Sequence, residues 1–170
     1  MDRSFRHRCS LARALELLGE RWTLLVVRDV WLHGPLRFDD LQSGLGISSH
    51  TLSNRLATLV EGGVLERRKY QTGPDRYEYR LTETGAELIP ALLALTAWGD
   101  RHLADSVGPT TVFTHAGAHP ANPVVTCTDC GGQLAMDNIE AAPGPAASPD
   151  VRPYALRRQG GSIEPSTAPK

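Results

Sequence analysis

Ile47-Ser48-Ser49-His50-Thr51-Leu52-Ser53-Asn54-Arg55-Leu56, followed by Leu59-Val60-Glu61-Gly62-Gly63-Val64-Leu65, is the stretch whose reading decides the fold. At roughly 100° per residue, Leu52, Leu56 and Leu59 fall in one narrow sector, the pattern of a helix with a single core-facing stripe. Opposite them stand His50, Asn54, Ala57 and Thr58, with Ser49, Thr51, Ser53 and Arg55 on the flanks. Surface helices commonly fill their outer face with Lys and Glu. Short hydrogen-bonding side chains fit instead against base edges in a DNA major groove. Ser48 is placed to cap the first free backbone N–H groups, an end that also favours a phosphate, and Gly62-Gly63 stops the helix. A solvated helix rich in Ser and Thr gives the same pattern, so the flanks must decide.

Upstream, Pro35-Leu36-Arg37-Phe38-Asp39-Asp40-Leu41 reads as a short helix with Phe38 and Leu41 inward, and Ser43-Gly44-Leu45-Gly46 as a turn. Helix, glycine turn and capped second helix is the helix-turn-helix order. Downstream, Val64 to Tyr70 and Tyr77 to Leu81 are strand-like runs around a loop that holds Gly73-Pro74, which predicts a hairpin. A hairpin directly after the second helix makes a winged helix. Its Arg67, Arg68, Lys69 and Arg76 are placed for DNA backbone or minor-groove contact.

Two further helices frame this unit. Leu11 to Leu18 is closed by Gly19, and the run from Trp22 to Leu32 is apolar nearly all round, with Arg28 and Asp29 as its charged positions. Thr82-Glu83-Thr84-Gly85 predicts a capped start to a long apolar helix through Leu88, Leu92, Leu93, Leu95 and Trp98, with Pro90 inside it as a kink. Its stripe exceeds what a small winged domain covers, which predicts packing against the same helix of a second copy and a palindromic DNA site. Trp22, Trp31 and Trp98, at helical spacing among leucines, read as core rather than as a ligand pocket.

The sequence resembles the HxlR-type winged helix-turn-helix transcriptional regulators. The matching residues are Cys9, Ala14-Leu15, Leu18-Gly19, Arg21 to Leu25, Gly34-Pro35 and Arg37 to Leu41. They continue with Ile47-Ser48, Thr51 to Ser53, Arg55-Leu56, Leu59, Gly63-Val64, Tyr77, Tyr79, Leu81-Thr82, Thr84-Gly85 and Leu88, in order over residues 9 to 104. The resemblance implies a homodimeric bacterial regulator, repressor or activator, with no enzyme activity. It implies the helix from Ser48 in the major groove, the wing on flanking phosphates, and the first and last helices at the dimer contact. Several members respond to oxidants or electrophiles through the cysteine at the position of Cys9. The candidate DNA-contacting set is Arg37, Ser48, Ser49, His50, Thr51, Ser53, Asn54, Arg55, Lys69 and Arg76, with His50, Ser53, Asn54 and Arg55 toward bases or the adjoining backbone and Arg37, Lys69 and Arg76 toward phosphates.

The expected fold class is thus mostly α with a small β-hairpin wing (α+β): a winged helix-turn-helix over residues 1–105, dimerised through its first and last helices. A short CxxC-containing hairpin, zinc-ribbon-like, follows at 106–140. The tail 141–170, rich in Pro, Ala, Gly and Ser, reads as disordered.

Composition fits this class. Of 170 residues, 41% are hydrophobic and 22% charged, ordinary for a globular chain with one modest core. No apolar run reaches membrane-spanning length and the N-terminus lacks a signal-peptide core, so the expected location is the cytoplasm, away from membranes. A net charge of −1 offers no global attraction to DNA. Locally, residues 48–80 hold six Arg or Lys against four acids, a small excess that predicts salt-sensitive binding dependent on dimerisation.

Two cysteine features carry chemistry. Cys127-Thr128-Asp129-Cys130-Gly131-Gly132 resembles one knuckle of a zinc ribbon, with His115 and His119 as the other two ligands of a tetrahedral site. A redox-active dithiol and an ordinary hairpin with reduced thiols are the competing readings. No other cofactor is required. Cys9 precedes the first helix, where the helix N-terminus with Arg6 and Arg8 would stabilise a thiolate, making it a redox sensor; the alternative is an inert thiol buried at the dimer contact. Three function classes follow: a DNA-binding regulator with a small-molecule or electrophile inducer, a winged-helix protein-interaction module without site-specific DNA binding, and a thiol oxidoreductase on the tail, for which no general base is visible.

Overall fold

The computed structural model describes residues 9–71, 73–141 and 144–145. Arg6, Arg8 and nearly all of the 141–170 tail lie outside the described residues. The elements run α1 (Ser10–Leu18), α2 (Thr23–His33), β1 (Leu36–Arg37), α3 (Phe38–Leu45), α4 (Ser49–Glu61), β2 (Leu65–Gln71), β3 (Arg76–Leu81), α5 (Glu83–Ala86), α6 (Ile89–His102), β4 (Thr114–His115) and β5 (His119–Pro120). This is a winged helix-turn-helix, a mixed fold of helices with a small antiparallel sheet.

The core is one cluster. Val26, Val27 and Val30 of α2 meet Leu41 of α3, Leu52, Leu56 and Leu59 of α4, then Ile47, Val64, Leu65 and Leu92 of α6. The narrow leucine stripe of α4 is wholly buried, as its spacing predicts. Helix α2 also buries Thr23 and Asp29. The Asp29 carboxylate is held by the Arg28 guanidinium through contacts of 2.7 and 2.8 Å, which supplies the partner a buried acid needs.

Between α3 and α4 the chain turns at Gly46, whose φ of 63° lies in the left-handed region that a side chain disfavours. Its N–H closes α3 by donating to the Gln42 carbonyl at 2.9 Å. Ser48 then caps α4, its Oγ accepting the Thr51 N–H at 3.2 Å.

Four features depart from the sequence reading. Helix α3 runs from Phe38 through Ser43, Gly44 and Leu45, which the sequence reading made a turn, and only Gly46 leaves the helical conformation. Leu36 and Arg37 form a strand that pairs with Tyr79 and Glu78, so the wing is a three-stranded sheet in the order β1-β3-β2; two residues are too few to show a periodicity. The helix expected from Thr82 is two helices. Thr82 does cap its start, accepting from Gly85 N–H at 2.9 Å, but α5 ends after one turn and Pro90 sits in the first turn of α6. There its missing N–H costs no hydrogen bond, so no kink is needed. Trp98 is not core: it is 47% exposed and tilted on His102 with Leu95 beside it, also exposed. Trp22 and Trp31 do pack against the core.

The chain divides into two compact units, residues 1–124 and 125–170. Residues 106–124, grouped by sequence with the CxxC segment, cluster with the helical unit, where the Phe113 ring stacks on Trp31 at 5.3 Å. In the second unit, Thr126 bridges Gln133 around the cysteine turn. Among the described residues no helix is long and apolar enough to cross a membrane.

Candidate nucleic-acid interface

Helix α4 presents two different faces because its leucines spend one side on the core. On the other side Ser48, Ser49, His50, Ser53, Asn54 and Ala57 are exposed, and Thr51 and Thr58 are half-buried. His50 and Asn54, one turn apart, share a hydrogen bond of 3.2 Å between the imidazole Nε2 and the amide Nδ2. The Thr58 hydroxyl donates to the Asn54 backbone carbonyl at 2.9 Å. The Ser48 and Thr51 hydroxyls are 2.9 Å apart and are occupied in the cap.

Arg55 differs from its neighbours. Its side chain is only 17% exposed and its guanidinium lies 3.9 Å from the Glu20 carboxylate. Arg55 therefore links α4 to the α1–α2 turn and stands apart from the His50–Asn54 face. The same end of α1 touches α4 again, where Leu17 packs directly against Gly62.

The basic side chains lie on the three strands of the sheet, Arg37 on β1, Arg67 and Lys69 on β2 and Arg76 on β3. Arg37 ends β1, precedes α3, and lies over the Tyr70 ring at 4.6 Å, while its backbone N–H donates to the Asp40 carboxylate at 3.3 Å. Lys69 pairs with Asp75 across the hairpin. Arg76 is exposed at the start of β3. Arg67 is exposed and lines the rim between α4 and the hairpin along with Ser53, Ala57, Tyr77 and Tyr79, and its guanidinium stacks on Tyr77 at 3.7 Å. Sequence pattern marked Arg67 as basic but gave no sign of this stacking. The relevant signal was the cross-strand diagonal to Tyr77.

Cys9 is exposed and is the N-cap of α1, its sulfur accepting the Ala12 N–H at 3.2 Å. Leu11 and Leu15 of α1 and Leu95, Trp98 and Leu103 at the end of α6 form exposed apolar surface. His115 and His119 face each other across the β4–β5 pair with ring centroids 5.5 Å apart. Cys127 and Cys130 belong to the second unit. The backbone N–H groups of Cys130 and Asp129 hydrogen-bond the Cys127 sulfur and lower its pKa from the ordinary thiol range. Among the described residues no three His, Cys, Asp or Glu side chains gather as a metal-binding set.

A capped, polar-faced helix behind a glycine turn, with a hairpin beside it, defines the class: a winged helix-turn-helix protein of transcription regulation. Residues 17–107 match the HxlR-like helix-turn-helix family model, and the chain belongs to that family. It is 46% identical over 138 residues to the uncharacterized HTH-type transcriptional regulator Rv3095 of Mycobacterium tuberculosis, covering 80% of this chain and 86% of that one. Its fold is similar to the solved structure of the transcription-factor candidate PA1607, with a TM-score of 0.71 and 30% identity over 81% of this chain and 96% of that one. It is also similar to the reduced form of the redox regulator HypR, with a TM-score of 0.51 and 26% identity over 55% of this chain and 92% of that one.

Proposed function

We propose that the protein is a site-specific DNA-binding regulator that acts as a homodimer on a palindromic operator. The observation that carries this reading is the His50–Asn54 pair on the exposed face of α4, directly opposite the buried leucine stripe. Side chains held one turn apart by their own hydrogen bond are already arranged to meet adjacent base edges. Around them Arg37, Lys69 and Arg76 serve as phosphate contacts, with Ser48, Ser49, Thr51 and Ser53 along the adjoining backbone. Arg55 acts by orienting α4. The exposed leucines of α1 and α6 supply the apolar surface for the second copy.

Cys9 gives this regulator its redox input. An exposed thiol at a helix N-terminus is open to oxidants and electrophiles, and adding an adduct there removes a cap from α1. The likeness to the redox regulator HypR supports this role.

Selection of bound sequences from random duplex DNA, with reductant and in parallel with diamide, tests both parts. A palindromic motif whose binding changes under diamide, with the change abolished by Cys9→Ser, is the expected result. Absence of any enriched motif under either condition overturns the site-specific reading.

A further inference from the structure

Residues 125–141 hold a regular turn without a core to explain it. The Cys127 N–H donates to the Gly132 carbonyl, the Gly131 N–H to the Cys127 carbonyl and the Leu134 N–H to the Val125 carbonyl, each at 2.8 Å. Gly131 takes a φ of 71°, the left-handed turn that lets the chain double back after Cys130. Yet in this stretch Val125, Leu134, Met136 and Ile139 are 58%, 38%, 72% and 55% exposed, and every residue of it except the half-buried Cys127 is exposed. A segment this small, burying so little apolar surface, needs a staple: a disulfide, a metal or a second chain.

The position of the two thiols indicates which staple. Cys127 and Cys130 lie three residues apart on that one turn, the spacing with which a single loop offers two sulfurs to one tetrahedral ion. Structural zinc takes four ligands and favours thiolates. Among the described residues no third His, Cys, Asp or Glu joins the pair, and the chain's other cysteine, Cys9, caps α1. This turn supplies two ligands of the four.

We propose that Cys127 and Cys130 are half of a tetrathiolate zinc site, completed by the same two residues of a second copy. Two ligands from each of two identical chains satisfy a tetrahedral ion about a two-fold axis. The same apposition covers the exposed Val125, Leu134, Met136 and Ile139. On binding, each of the four thiols releases its proton to solvent as its sulfur ligates zinc, and no electron moves.

The test uses the full-length chain, reduced and stripped of metal, titrated with zinc(II) and, for its spectrum, with cobalt(II). Binding should saturate at one ion per two chains, with the ligand-field and sulfur charge-transfer bands of a tetrahedral thiolate site. Cys127→Ser or Cys130→Ser should abolish it, whereas Cys9→Ser and the paired His115→Ala, His119→Ala change should leave it intact. One ion per chain, lost in the paired histidine variant, overturns the proposal in favour of a site within one chain. No binding while both thiols remain open to alkylation overturns it outright. The readout is metal stoichiometry in the absence of DNA, so it stands or falls separately from operator binding.

Discussion

The Arg55 guanidinium lies 3.9 Å from the Glu20 carboxylate, tying the middle of α4 to the turn that follows α1. With Leu17 packed on Gly62 at the far end of α4, the helix proposed to read DNA is held at two points, one by the helix proposed to touch a second copy and one by the turn that follows it. Because Glu20 is half exposed, this ion pair is of the modest kind, about 1 kcal/mol or less. Arg55→Gln and Glu20→Gln should each lower the urea midpoint slightly, and a double-mutant cycle should give a coupling energy in that range. Strict additivity would show that the pair contributes nothing.

Asn54 and His50 are expected to act on sequence preference. Replacing either by Ala should relax discrimination at one or two operator positions by about 1–3 kcal/mol each, with little change on unrelated DNA. Quantitative binding to a panel of single-base operator variants measures this.

Lys69 and Arg76 should not behave alike, because Lys69 is already paired with Asp75 and Arg76 is exposed. Arg76→Ala should weaken all sequences together and reduce the salt slope by about 1. Asp75→Asn, which frees Lys69, should tighten binding to every sequence and steepen that slope. An unchanged slope in both variants would remove the wing from the phosphate contacts.

Leu56 is 2% exposed at the centre of the α4 stripe. Leu56→Ala should cost about 2–5 kcal/mol of stability, read by denaturant unfolding. Leu95→Glu, on exposed α6 surface, should leave unfolding nearly unchanged while shifting sedimentation toward monomer.

The Cys127 thiol is lowered by the N–H groups of Cys130 and Asp129, so its thiolate persists to lower pH than that of an ordinary cysteine. In reduced, metal-free protein, its alkylation by iodoacetamide should therefore reach half-maximal rate at a lower pH than in the same protein unfolded in urea. Mass spectrometry resolves the site.

Much of this molecule is local, and what is local was legible. The leucine spacing of Leu52, Leu56 and Leu59, the Ser48 cap and the two runs of the hairpin each depend on neighbours within a few residues, and these stand where the sequence puts them, whereas Ser43 to Leu45, read as part of the turn, continue α3 as far as Gly46. Strand β1 was hidden because it exists only through pairing with β3, some forty positions on. Pro90 was misplaced because a proline inside an apolar run gives no sign of whether the helix began before it or at it.

The sequence by itself determined the winged helix-turn-helix, the polar face of α4 and the family, since periodicity, caps and turns are written in short-range chemistry. Only the tertiary structure decided which polar side chains stay available. Arg55 looks like a base contact in the helix pattern, but packing brings Glu20 to it; Lys69 looks free until the hairpin closes Asp75 onto it. Charge pairing across elements depends on distances that folding creates, and no spacing along the chain encodes them.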